Sequence, residues 1–251
     1  VYDPETDQWA PWRMLEFPDK ETFWSAGAGC AQWLVKDDGT LLVPQYYCPP
    51  EMRGTGALAR STSTVVHCAF DGTQLTYLEH GDELALDVPR GCDEPSLVLF
   101  QGRYYLTIRN DEKGYVTAGD DGLHFAPLTP WTFDDGAELG SYNTQQHWLA
   151  HGDGLFLVYT RRGANNDHIF RHRAPLFIAQ VDPGRLCVIR ATERVLVPER
   201  GATLGNFGAG PITPGESWVT VGEGMFFPEV YTKGGATGAV FVARILWRPG
   251  A

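Results

Sequence analysis

No stretch of this chain is apolar over the roughly 18 residues that a membrane-spanning helix needs. Nor does any segment sustain a 3.6-residue hydrophobic period, so helices are expected to be few and short. Positive charge is scarce: 20 Lys and Arg stand against 31 Asp and Glu, giving a formal charge of −11. Such a surface repels a phosphate backbone, which argues against nucleic acid as a partner. The five cysteines (Cys30, Cys48, Cys68, Cys92, Cys187) are odd in number and show no C-x-x-C spacing. They read as small buried hydrophobes, and no thiolate metal centre is expected. Neither a phosphate-cradling glycine loop nor a serine-nucleophile motif occurs, and no cofactor is expected. The first residues, Val1 to Trp9, show neither an initiator Met nor a signal peptide, and Pro249-Gly250-Ala251 directly follows an apolar strand. The expectation is one domain, residues 1–251, trimmed at both ends from a larger protein. The compartment is left open, secretion or a periplasm being compatible.

What the chain has is a beat. Hydrophobic residues make up 43% and aromatics 12%, with 29 Gly, a composition suited to an ordered, turn-rich β protein. Ala31–Val35 leads through Asp37-Asp38-Gly39 into Thr40–Val43, and Ser96–Phe100 through Gln101-Gly102 into Arg103–Leu106. His147–Ala150 leads through Asp153-Gly154 into Leu155–Tyr159, and Gly208–Gly210 through Pro214-Gly215 into Ser217–Thr220. The marker glycines 39, 102, 154 and 215 are spaced by 63, 52 and 61 residues, the length of one four-stranded propeller blade with long loops. Each of the first three repeats has a second hairpin, turning at Asp71-Gly72, Asp120-Asp121-Gly122 and Asp182-Pro183-Gly184. Cys48 to Ser63 reads as a long loop.

Ala118-Gly119-Asp120-Asp121-Gly122-Leu123-His124-Phe125 resembles a degenerate Asp-box of the sialidases, Ser-x-Asp-x-Gly-x-Thr-Trp, with Phe125 in the aromatic place. Tyr2 to Trp9 and Ala69 to Leu75 are weaker echoes. Glu94 at the start of one strand and Arg109 past a glycine turn match the family's Glu and Arg in spacing, and Arg171 and Arg173 stand where a further Arg is expected. The resemblance implies an all-β, sialidase-like (neuraminidase-like) propeller, six-bladed in the full protein, with four to five blades here. It further implies arginines that clamp a substrate carboxylate and a glutamate that works with a nucleophilic Tyr. The chain departs from that pattern where the Tyr belongs, because Leu204 to Gly210 contains none. The family's first Arg and its acid/base Asp would precede this chain's start, or are absent.

The densest polar stretch runs from Gly140 to Arg173. Arg161, Arg162, Arg171, Arg173, His147, His168, His172 and Asp167 fall within 27 residues of it. Arginine forks match carboxylates in two-point contacts, so an anionic carbohydrate is the expected partner. The leading expectation is an exo-acting glycoside hydrolase. In it Glu94 is the base, and Asp167, His168 or His147 is the second catalytic group. Arg109, Arg162, Arg171, Arg173, Tyr142 and Asn166 bind substrate. One alternative is a propeller lyase that takes a uronate proton with His147, His168, Tyr142 or Tyr159. Another is a sugar-binding propeller without catalysis. Asp134 to Glu138 reads as an acidic surface turn, and His67 and His124 as structural.

Overall fold

The computed structural model describes residues 1–56 and 59–248. A short exposed hairpin, β1 (Tyr2–Asp3) and β2 (Gln8–Trp9), leads the chain. Four antiparallel sheets follow, each numbered from its innermost strand outward. Blade 1 is β3 (Leu34–Val35), β4 (Leu41–Tyr47), β5 (Arg60–Phe70) and β6 (Leu75–His80), with β7 (Arg90–Gly91) joining β5 in parallel. Blade 2 is β8 (Asp93–Phe100), β9 (Arg103–Arg109), β10 (Tyr115–Gly119) and β11 (Thr129–Pro130). Blade 3 is β12 (His147–His151), β13 (Gly154–Tyr159), β14 (Leu176–Asp182) and β15 (Cys187–Val188), with β16 (Arg194–Val197) also on β14. Blade 4 has three strands, β17 (Gly208–Thr213), β18 (Glu216–Gly222) and β19 (Val240–Leu246). One helical turn, α1 (Pro228–Tyr231), lies in the β18–β19 loop.

The result is a four-blade β-propeller arrangement, held by the apolar layer between each successive pair of blades. Leu42 and Val65 meet Leu97, Leu106 and Ile108 between blades 1 and 2. Val116 and Trp131 meet Trp148, Leu157 and Phe177 between blades 2 and 3. Leu149, Val158 and Leu176 meet Val219 and Val221 between blades 3 and 4. Trp131 and Trp148 are both fully buried with ring centroids 5.7 Å apart, and truncating either to Ala would cost about 3–5 kcal/mol. The other face of blade 4 is open, with Val240, Val242 and Leu246 exposed.

The four innermost strands meet at Gln32. Its backbone carbonyl accepts the Leu97 N–H at 2.9 Å. Its side-chain Oε1 accepts the Trp148 N–H at 2.7 Å, and its Nε2 donates to the carbonyls of Trp148 (2.8 Å) and Ala209 (3.1 Å). One residue thus ties the chain ahead of β3 to blade 2 through its backbone and to blades 3 and 4 through its side-chain amide.

The second-hairpin turns share a lock. Asp71 accepts the N–H groups of Thr73 and Gln74 at 2.8 Å each. Asp121 does the same for Leu123 (2.9 Å) and His124 (2.8 Å), and Asp182 for Gly184 and Arg185 at 3.0 Å each. In blade 2 the expected strand Leu123–Phe125 is absent. Asp121 holds that stretch as a turn, and the outer strand forms later, at Thr129–Pro130. The expected strand Ala31–Val35 shortens to Leu34–Val35 because Gln32 bonds to three other blades. The expected loop Cys48–Ser63 gives up its last residues to β5. The cysteine expectation holds for Cys68, Cys92 and Cys187, which are buried, whereas Cys48 is half-buried and Cys30 is exposed.

Candidate functional site

One rim of the propeller collects the residues that lie where the innermost strands begin. Cys30 precedes β3, Glu94 opens β8, Tyr142 and Asn143 precede β12, and Gly205 precedes β17. The ends of second strands add Tyr46 from β4 and Arg109 from β9, and the β13–β14 loop adds Arg171, His172 and Arg173. Six non-glycine residues here have left-handed backbone: Cys30, Arg90, Glu94, Asn143, Arg171 and His172, with φ between 42° and 68°. Each such residue costs on the order of 1–3 kcal/mol, and strain of this kind collects where side chains must be aimed.

Glu94 owes its direction to a break in register. The β8–β9 ladder slips between Asp93 and Ser96, and the bulge turns Glu94 onto Arg109. Arg109 Nη1 donates to Glu94 Oε1 at 2.6 Å, and Nη2 to Asp111 Oδ1 at 3.1 Å. Arg90 braces this pair from behind, with Nε on Asp111 Oδ2 at 2.8 Å and Nη1 on Asp93 Oδ2 at 2.9 Å. Glu94 Oε2 is buried and has no hydrogen-bond partner among the described residues. Burial raises the Glu94 carboxyl above its ordinary range, while Arg109 and Arg173 pull the other way. Cys30 and Tyr46 lie in the same field. Burial raises both groups, and the charges of Glu94 and Arg109 act on both.

Arg173 is buried and has no carboxylate within ion-pair distance among the described residues. Its Nε donates to Asn143 Oδ1 at 2.9 Å and its Nη2 to the Asn143 carbonyl. Burial, and then the like charges of Arg109 and Arg171, draw its pKa down to about 10. Arg171 is exposed, its guanidinium 5.3 Å from the Phe170 ring. Tyr142 Oη lies 2.5 Å from His172 Nδ1, and His172 Nε2 lies 3.3 Å from Asp167 Oδ1. Arg162 stacks over the Tyr142 ring at 5.0 Å and pairs with Glu138 at 2.6 Å.

The remaining expected residues are placed elsewhere. Asn166 is buried and donates to the carbonyls of Arg161 (2.9 Å), His172 (3.3 Å) and Ala174 (2.6 Å), so it holds the loop in shape. His168 is exposed and faces Glu199 at 3.3 Å. His147 is buried between blades, Nδ1 2.9 Å from Ser96 Oγ, and burial pushes its pKa down to about 4. Tyr159 is buried too, donating to Glu193 at 2.6 Å. In the acidic turn, Asp135 pairs with Arg190 at 2.8 Å. Cys30, Tyr46, Arg90, Asp93, Asp111 and Asn143 were not anticipated. Asp93 and Asp111 had a signal, each lying within two residues of Glu94 or Arg109. Tyr46 and Cys30 come from a different blade, and no local pattern marks them.

No family model matches the chain, and no curated protein is similar to it. Solved structures are similar in fold. A protein of unknown function from Dyadobacter fermentans DSM 18053 superposes with a TM-score of 0.58 at 14% identity, over 86% of this chain and 52% of that one. The GH32 β-fructofuranosidase of Bombyx mori gives 0.56 at 13%, over 91% and 49%. The Trypanosoma rangeli sialidase in complex with the inhibitor DANA gives 0.51 at 12%, over 84% and 30%. What is shared is the β-propeller fold, which the β-fructofuranosidase and the sialidase also have. The chain spans about half the length of the first two of these structures and under a third of the sialidase.

Proposed function

We propose that this chain carries the active-site rim of an exo-acting glycoside hydrolase whose substrate is an acidic glycan, with the sugar carboxylate held by Arg173 and Arg171. The observation that carries the reading is the pairing of two incomplete groups. Arg173 is a buried cation without a carboxylate partner, and Glu94 is a buried carboxyl with one free oxygen. A buried charge left unpaired is costly, and an anionic ligand supplies the missing partner. Arg109 is not free for that task, since both its terminal nitrogens are committed to Glu94 and Asp111. Its role is to hold Glu94 Oε1 and leave the buried Oε2 unpaired. With its carboxyl raised by burial, Glu94 suits the general acid that protonates the leaving oxygen rather than the base expected from sequence.

The test is hydrolysis of sialosides and of uronate-containing oligosaccharides, followed by new reducing ends. Glu94→Gln should lose about 10²–10⁴-fold in turnover with its circular dichroism unchanged. Full activity in that variant would sink the reading. Sugar binding without turnover in the wild-type chain would make it a binding module instead.

A further inference from the structure

The hydrolase reading leaves the second proton-transfer group unassigned, and the structure contains a chain of three groups with no other task. Tyr142 Oη, His172 Nδ1, His172 Nε2 and Asp167 Oδ1 are linked in sequence by contacts of 2.5 and 3.3 Å. Hydroxyl, imidazole and carboxylate in that order match the geometry by which a base activates an oxygen acid and is itself oriented by a third group. Asp167 is 94% exposed, so its contact with the ring adds little energy. The ring is placed by backbone instead. Arg171 and His172 are consecutive left-handed residues at φ 58° and 53°. Asn143, itself at φ 50°, donates to the Arg171 carbonyl at 3.4 Å, and Asn166 donates to the His172 carbonyl at 3.3 Å. Two asparagines thus grip a strained dipeptide, and the outcome is an imidazole set against a phenol.

Position supports a catalytic task. Tyr142 is partly exposed on the rim; burial raises its hydroxyl above the ordinary value, and Arg162, Arg171 and Arg173 offset part of that rise. Arg173 acts electrostatically on both Tyr142 and Glu94, and its Asn143 partner directly follows Tyr142 in the chain.

We propose that Tyr142, driven by His172, is the proton acceptor of this site, an assignment that rests on the hydrolase reading above. The Tyr142 O–H bond breaks and its proton forms the Nδ1–H bond of a His172 imidazolium facing Asp167. The phenolate takes a proton from water as the water oxygen bonds to the anomeric carbon. The bond to the leaving oxygen breaks at the same time, and that oxygen takes the proton of Glu94 Oε2. Solvent then carries the imidazolium proton back to Glu94.

An aryl glycoside with a good leaving group distinguishes the two roles, because it needs an activated water but little acid. The probes are the 4-methylumbelliferyl glycosides of sialic acid and glucuronic acid, beside the matching natural disaccharides. Tyr142→Phe and His172→Gln should each lose about 10²–10⁴-fold in kcat on both substrate types, whereas Glu94→Gln should lose mainly on the disaccharides. Azide attacks without giving up a proton, so it should restore turnover of the aryl glycoside by Tyr142→Phe, with a glycosyl azide as product. Wild-type rates in Tyr142→Phe, or a loss that azide does not recover in a folded variant, overturn the assignment alone. A wild-type chain that turns over neither substrate type overturns the hydrolase reading and the assignment with it. An ultraviolet-absorbing unsaturated product, lost in Tyr142→Phe, would keep Tyr142 as proton acceptor and replace hydrolysis by elimination.

Discussion

A methyl group on Gly205 would lie 2.8 Å from both Cδ and Nη1 of Arg173. The absence of a side chain at Gly205 is therefore what lets the guanidinium lie flat against the start of blade 4, facing the rim. Gly205→Ala should displace the fork and weaken binding of an acidic monosaccharide about tenfold. The thermal midpoint should move little, because the clash is with the far end of a flexible side chain. Calorimetric titration with glucuronic acid and with sialic acid measures this, and unchanged affinity for both would remove Arg173 from the binding site.

Arg109 tunes Glu94. Burial raises the carboxyl and Arg109 lowers it, so Arg109→Met should raise it further. A general acid works only while protonated, so the alkaline limb of the pH–rate profile should move to higher pH in Arg109→Met. Stability follows from the same shift. The folded protein holds this proton to higher pH than the unfolded chain does, whose carboxyl titrates near 4.5. The Glu94 contribution is then full below that pH and is lost as pH rises through the raised folded value. Glu94→Gln should lose less stability than wild type across that interval, as read by urea midpoints at stepped pH.

The turn lock at Asp121 has the opposite sign. Burial pushes its carboxyl up, but hydrogen bonds from the His124 backbone, the His124 ring and the Leu123 backbone together outweigh that and lower its pKa from 3.8 to about 2. The stabilisation is present above pH 3.8 and is lost as pH falls through about 2. Asp121→Asn keeps an oxygen for the turn but no titrating group, so its acid unfolding curve should be flatter between pH 4 and pH 2. An unchanged curve would mean that the lock does not hold the blade.

Thiol accessibility tests the position of Cys30. Cys30 is exposed, although burial raises its thiol too, and the buried Cys68 and Cys92 are raised to about 11 and about 12. Iodoacetamide on the folded chain should modify Cys30 first and leave Cys68, Cys92 and Cys187 intact, as read by peptide mass spectrometry. An adduct at Cys30 should also slow turnover by crowding the rim beside Glu94. Labelling that spares activity would place Cys30 outside the site.

The blades were legible from sequence because a hairpin is a local object: alternation, an Asp-Gly turn and alternation again lie within some fifteen residues. Leu97, Trp148 and Val158 all sit in strands that this pattern marks. The Glu94–Arg109 pair was legible for a similar reason, since adjacent strands of one blade bring them together. Asn166 was not, because an asparagine that binds substrate and one that clamps carbonyls look alike as letters. His147 was misleading in the same way, a histidine in a polar run that the fold turns inward toward Ser96. Tyr46 and Gly205 matter only once blades 1 and 4 face the same rim, and that relation exists in no segment of the chain.

Gln32 reaches partners 116 and 177 residues away along the chain, at Trp148 and Ala209. Closing loops of that length is entropically costly and slow, so blades made of local hairpins should form before this contact does. The side-chain amide of Gln32 is then a clock for assembly, since its protons can be sheltered only after blades 3 and 4 have closed on the segment that leads into blade 1. A probe placed there would separate the folding of the parts from the arrival of the whole.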